Sequence, residues 1–324
     1  MNRRKFIAGL SGSVAWPVVA RAQKAIPVIG FLHVGSTDVF VSETTAFQNG
    51  LSQTGYIEGK NVFIEHRWAE GRRERLIPMA LDLVNRKVTL IAATPSSAAT
   101  AAKAATNTIP IVFVSSFDPV SLGLVSSLAK PSGNITGITT LSGDLEAKQL
   151  ELLREVLPKP GAVGLLVDPT NLNAEGDTKK LQAIANGIGQ PLVLLQASSE
   201  QEIEASFKTL KQEGVVGLLV GTAVLFARQR QQIVSLATRN GLPTVYARRD
   251  YAISGGLMSY GADLIDASRL AGIYAGRILK GEKPADLPVQ QSMKFDFVIN
   301  LKTAKALGIA VPLPLLGRAD EVIE

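Results

Sequence analysis

Short β-rich runs alternate with longer amphipathic stretches along this chain, and the alternation is played through twice. The first half carries strand-like runs at residues 27–33, 61–67, 88–93, 110–115 and 134–139, with helical periodicity over 40–54, 72–85, 97–106 and 120–128. The second half repeats the scheme, with strands at 162–167, 191–196, 216–220, 243–246 and 256–260 and helices over 174–188, 200–212 and 225–240. Consecutive parallel strands need a crossover long enough to hold a helix, so this spacing predicts parallel sheets. The runs Val163-Gly164-Leu165-Leu166-Val167 and Gly217-Leu218-Leu219-Val220 are apolar almost without interruption. Strands of that kind are buried on both faces. Asn107-Thr108-Ile109-Pro110 and Asn240-Gly241-Leu242-Pro243 each end a helix and lead into a strand. The expected fold class is therefore α/β, with two doubly wound parallel-sheet lobes.

The stretch beyond residue 260 does not read as a third unit. A helical pattern over 264–280 stops at Gly281 with Pro284 beyond, and a strand-like run at 295–300 precedes a short helix and a Pro-rich stretch over 311–315. A helix and strands left over after two complete lobes suit a chain that recrosses between them, and several crossings make a hinge. The expected division is lobe 1 from residues 23–142 with about 263–290, and lobe 2 from 143–262 with about 291–324.

The N-terminus reads as a secretory leader over residues 1–22. Arg3-Arg4-Lys5-Phe6 supplies a positive start, an apolar Gly/Ser-loosened stretch extends to Ala20, and Ala20-Arg21-Ala22 fits a cleavage site. The arginine pair with its phenylalanine is similar to the twin-arginine type. The expected compartment is the periplasm. The leader also carries much of the positive charge. The full chain has 34 Lys+Arg against 28 Asp+Glu, and losing Arg3, Arg4, Lys5 and Arg21 leaves 30 against 28, or +2. The remaining basic pairs, such as Arg72-Arg73 and Arg248-Arg249, are scattered, so no nucleic-acid partner is expected. There are no cysteines and two histidines. An exported chain without disulfides must rely on a large apolar core, and 46% apolar residues can supply it.

Chemistry-bearing motifs are lacking. No G-x-G-x-x-G follows a predicted strand, and Gly55-Tyr56-Ile57-Glu58-Gly59-Lys60-Asn61 has the wrong spacing and context for a phosphate loop. Neither G-x-S-x-G nor H-E-x-x-H occurs. His33 and His66 sit at strand ends, where a hydrogen-bonded structural histidine is the plainer reading. No enzymatic activity, cofactor or metal is expected.

In doubly wound sheets ligands bind beyond the carboxyl ends of the strands. Those ends place His33 and Ser36 after the first strand, Trp68 after the second, and Thr94, Ser96 and Ser97 after the third. The serines stand where helix-start N–H groups could receive an anion. The fourth strand ends in Ser116-Phe117-Asp118, whose carboxylate suits an ammonium group. In the second half the same ends carry Asn171, Asn173, Thr222, Arg248 and Tyr260. Arginine suits bidentate recognition of a carboxylate. Each has a duller alternative: Ser96, Ser97 and Asn173 as helix caps, Asp118 as a turn former before Pro119, Arg248 as a surface partner of Asp250, and Trp68 as packing.

Several stretches resemble a known family. They are Ser116-Phe117-Asp118-Pro119-Val120, Lys130-Pro131-Ser132-Gly133-Asn134-Ile135-Thr136-Gly137, Gly255-Gly256-Leu257-Met258-Ser259-Tyr260-Gly261, the run from Arg277 to Pro288, and most specifically the run from Phe297 to Gly308. Together the chain resembles the ABC-transporter substrate-binding proteins of the tryptophan/tyrosine-binding-like type, which have the type I periplasmic-binding fold. The resemblance implies a solute receptor of an ABC importer, working as a monomer, with a three-stranded hinge and with permease and ATPase subunits as partners. Phe117 and Asp118 match its motif, whereas Arg248 and Asn173 carry over weakly. The expected ligand is a small carboxylate-bearing compound, of the aromatic amino acid kind. A sensory module docking on a receptor, or an exported Rossmann-like enzyme, are the alternatives, and turnover by the purified protein would favour the last.

Overall fold

The apolar runs become strands whose alternate residues face opposite cores. The structure, a computed structural model, describes residues 26–140, 145–171 and 174–324. The leader, Asn173 and the expected lobe boundary at 142–143 lie outside these described residues.

The first half forms β1 (Val28–His33), α1 (Val41–Gln53), β2 (Phe63–Trp68), α2 (Leu76–Asn85), β3 (Leu90–Thr94), α3 (Ser96–Ala105), β4 (Ile111–Ser115) and β5 (Ile135–Thr139). The second forms α4 (Leu145–Val156), β6 (Val163–Val167), α5 (Ala174–Gly187), β7 (Leu192–Gln196), α6 (Glu200–Gln212) and β8 (Gly217–Val220). It continues through α7 (Val224–Arg228), α8 (Arg230–Arg239), β9 (Thr244–Tyr246), α9 (Arg249–Ile253) and β10 (Met258–Ala262). The remainder is α10 (Leu264–Leu279), β11 (Gln290–Gln291), β12 (Phe295–Asn300), α11 (Leu301–Ala306), α12 (Leu313–Leu316) and β13 (Glu321–Ile323).

Two sheets result, ordered β11-β5-β4-β3-β1-β2 and β13-β12-β10-β9-β8-β6-β7. Strand pairs in the first are parallel, and in the second β10–β12 is the antiparallel exception. On β3, Leu90 and Ala92 face the core under α1 and α10, while Ile91 and Ala93 face that under α2 and α3. On the second sheet Leu165 and Leu219 face one core, and Leu166, Leu218 and Val220 the other. Burial on both faces is what the uninterrupted apolar runs demanded.

The chain passes from the first sheet to the second after β5, returns after β10 so that α10 covers the first sheet, and passes over again between β11 and β12. These passages form the hinge between two lobes.

Local differences from the sequence expectation have local causes. Residues 120–128 form turns: the Asp118 Oδ1 accepts from the Val120 N–H at 2.9 Å, and Gly123 takes φ +64. Leu124 and Val125 are buried all the same, so the apolar spacing there marks a loop plugged into the core. The expected helix over 225–240 is broken at Gln229, where φ −95 and ψ 19 leave the helical basin between α7 and α8. The Pro-rich stretch contains α12, with proline in its first turn, where the missing N–H costs nothing.

Candidate functional site

The carboxyl ends of β1, β3, β4, β6, β8 and β9 converge on a gap between the lobes, because all of them run the same way within their sheets. The larger of two compartments in this cleft spans about 880 Å³, counting the open solvent at its mouth. Its first-lobe wall holds His33, Thr94, Ser96, Ser97, Ser116 and Phe117, and its second-lobe wall Asn171, Thr222 and Arg248. A second compartment of about 530 Å³ shares Ser116, Phe117, Asn171 and Thr222 and continues to Glu146, Asp168 and Asp177.

Five predicted residues stand elsewhere or outside view. Ser36 is buried in the β1–α1 loop, where its hydroxyl bonds Asp38 and its carbonyl accepts from the Phe40 N–H at 3.3 Å. Trp68 stands behind the wall, its ring 4.9 Å from that of His33, so it braces the histidine. Asp118 is exposed and serves the turn before Val120. Tyr260 packs against Phe295 and Phe297, each ring centroid 6.1 Å away, in the second lobe's core. Asn173 lies outside the described residues.

The wall also contains residues that sequence reasoning passes over. The Phe40 ring lies 4.3 Å from that of His33, tilted by 45°, and Glu43 sits in the first turn of α1. Arg73 lies in the turn just after β2. A signal for Arg73 exists, since Arg72-Arg73 follows a strand's carboxyl end, but a basic pair by itself reads only as scattered surface charge. Nothing in periodicity marks Phe40 or Glu43.

His33 is 3% exposed, and its Nδ1 accepts the Gly35 N–H at 2.7 Å, which leaves the proton on Nε2. Burial first, and then the charge of Arg248, push its pKa down to about 3, so the imidazole is neutral. Arg248 presents the opposite case. Burial works against its charge, but Glu43 at 2.8 Å and Asp250 at 3.1 Å more than offset this and hold its pKa above the ordinary value. Its guanidinium also lies over the Phe40 ring, 5.3 Å from the centroid.

Among the described residues, three hydrogen bonds cross the cleft from one lobe to the other. Arg248 Nη2 of the second lobe donates to Glu43 Oε1 of the first. Arg228 Nη1, again from the second lobe, donates to the Glu70 carbonyl at 2.9 Å. Arg73 Nη1 of the first lobe donates to the Thr170 carbonyl of the second. Within the second wall, Asn171 Nδ2 donates to the Thr222 carbonyl at 2.7 Å, and Asp168 Oδ1 accepts from both the N–H and the hydroxyl of Thr170. At the start of α3, Ser96 Oγ and Ser115 Oγ share a hydrogen bond of 2.7 Å. Such an arrangement can enclose a small polar molecule from two sides and hold it by hydrogen bonds, charge and aromatic contact. Among the described residues, no group of three or more His, Cys, Asp and Glu could hold a metal ion.

Comparison with known proteins is consistent with this geometry. The profile of the family described as ABC transporter substrate binding protein matches residues 25–323. A tyrosine-binding protein of Clostridioides difficile (strain R20291) is 30% identical over 263 residues, covering 81% of this chain and 75% of its own. Among solved structures, an ABC domain in complex with L-Trp from Streptococcus pneumoniae is 27% identical, covers 92% of this chain and 99% of its own, and superposes with a TM-score of 0.82. The ligand-free, open structure of a substrate binding protein with adhesive properties from Clostridium difficile has the same identity and coverage, 27%, 92% and 99%, but a TM-score of 0.68.

Proposed function

As this chain belongs to the ABC transporter substrate binding protein family, we propose that it is the solute-binding component of an importer and captures a small carboxylate-bearing ligand between its lobes. One observation carries this reading: Glu43–Arg248, Glu70–Arg228 and Thr170–Arg73 tie the two lobes together around a cleft lined by both. A ligand that touches both walls binds the closed form better than the open one, and so shifts the population toward closure. The membrane permease and its ATPase then meet a shape that depends on occupancy.

The ligand class is read from the wall. Phe117, Phe40 and neutral His33 offer flat apolar faces, while the start of α3 and the arginines offer positive charge. An aromatic amino acid or a related acid matches both features. The two similar proteins whose descriptions speak of tyrosine and of L-Trp support that choice. The chain acts as a monomer in the periplasm, carried there by the leader over 1–22, and its lobes are drawn from 23–142 with about 263–290 and from 143–262 with about 291–324. Among the described residues no helix is long and apolar enough to cross a membrane.

A thermal-shift screen of the purified protein against amino acids, aromatic acids, sugars and nucleosides tests the proposal. An aromatic acid at a hundredfold excess over its dissociation constant should add about 2.7 kcal/mol of stability. A shift with sugars or nucleosides and with no acid rejects the ligand class, and turnover of any of these compounds rejects the receptor.

A further inference from the structure

We propose that Arg73 is the residue that selects for a carboxylate in this cleft, and that it does so while holding the second lobe. This deepens the solute-binding reading above and rests on it.

Two cations line the larger compartment among the described residues, Arg73 and Arg248. Arg248 is already satisfied, by Glu43 at 2.8 Å and Asp250 at 3.1 Å. A ligand carboxylate would have to displace one of these partners. Arg73 is in a different position. Among the described residues it forms no ion pair within 4.0 Å, and the one hydrogen bond of its side chain runs from Nη1 to the Thr170 carbonyl across the cleft. A guanidinium has five N–H donors in a planar fork, so Nε and Nη2 remain to be used. The group is half-buried, and burial lowers its pKa, with Asp168 offsetting only part of the effect. A partly desolvated cation of this kind is stabilised by an anion that brings two acceptors in one plane.

The neighbouring start of α3 supports the same placement. The Ala98 and Ala99 N–H groups both bond the Pro95 carbonyl, whereas no bond takes up those of Ser96 and Ser97 among the described residues. Ser96, Ser97 and Arg73 border one compartment, so a carboxylate there has a guanidinium and a helix start within the same cavity. Because Arg73 also grips Thr170 of the opposite lobe, a bound carboxylate and the closed form stabilise each other through the same side chain.

Calorimetric titration with paired probes tests this: L-tyrosine against L-tyrosinamide, L-tryptophan against L-tryptophanamide, and indole-3-acetate against indole-3-acetamide. The wild type should prefer each acid to its amide about 100-fold, and Arg73→Gln should lose most of that preference by weakening the acid far more than the amide, whose smaller loss reflects the tie to Thr170. Arg73→Lys should retain part of it, since it keeps the charge and loses the fork. Circular dichroism melting of both variants should match the wild type. A wild type that binds acid and amide alike, or an Arg73→Gln variant that still prefers the acid, overturns the assignment while leaving a solute receptor standing. No binding of any probe, nor of any compound in the wider screen, overturns the receptor reading and this assignment with it.

Discussion

His33 shows how one buried side chain ties the cleft to pH. Its folded pKa of about 3 lies below the ordinary value of 6.5 that serves for the unfolded chain. Between those values the unfolded chain binds a proton that the folded chain refuses, so acid favours unfolding. The stability is fully present above pH 6.5 and is lost as pH falls toward 3. At pH 5 the loss should reach about 2 kcal/mol, at about 1.4 kcal/mol per unit. His66 contributes with the same sign, burial lowering its pKa and Glu58 opposing. Carboxylates held low by arginine, such as Asp82, remain charged in both states at pH 5 and do not confuse the window. Urea unfolding at pH 7 and pH 5 should show the wild type losing about 2 kcal/mol more than His33→Asn, whose amide oxygen can still accept from Gly35. Equal losses would contradict the burial of a neutral imidazole.

At the scale of elements, the seam between α1 and α10 is where the returning chain is anchored to the first lobe. The two helices approach so closely that a Cβ on Gly50 would lie 1.8 Å from the Arg269 carbonyl oxygen, and one on Gly272 would lie 2.0 Å from that of Phe47. Both obstacles are backbone, so relief requires the helices to separate. Gly272→Ala should therefore cost about 3 kcal/mol, at the upper end of overpacking effects, read as a fall in the melting midpoint. Gly176 in α5 has nothing within 4 Å of the same added atom. There alanine should add up to about 1 kcal/mol, because the helix gains a better former and the unfolded chain loses freedom. A matching response at both glycines would deny the close seam.

For the whole molecule, closure depends on contacts that neither lobe makes alone. Glu43 and Arg248 are 205 positions apart, with side chains 11% and 14% exposed, and their pair spans the cleft. Glu43→Gln leaves Arg248 its partner Asp250, so each lobe should fold as before while the tie weakens. We expect ligand affinity to fall about tenfold, equivalent to about 1.4 kcal/mol. Small-angle scattering of the ligand-free variant should give a larger radius of gyration, which returns to the wild-type value once ligand is added. An unchanged radius and affinity would show the pair to be incidental.

Periodicity and turn residues were enough to specify two α/β lobes, because each strand's burial on both faces is written into its own apolar run. The same logic located part of the cleft: strands that run parallel end together, so His33, Thr94, Ser96, Ser97, Ser116, Phe117, Asn171, Thr222 and Arg248 had to gather. Asp118 and Tyr260 share those strand ends, yet one spends its carboxylate on a turn and the other its ring on a core. Side-chain direction within a loop is set by local hydrogen bonds and packing, to which spacing is blind. Phe40, Glu43 and Arg73 border the cleft from a loop, a helix start and a turn whose side-chain directions no spacing records. The meeting of the lobes joins residues 97 to 205 positions apart, and no periodic signal in a chain records a contact whose two sides belong to separate sheets.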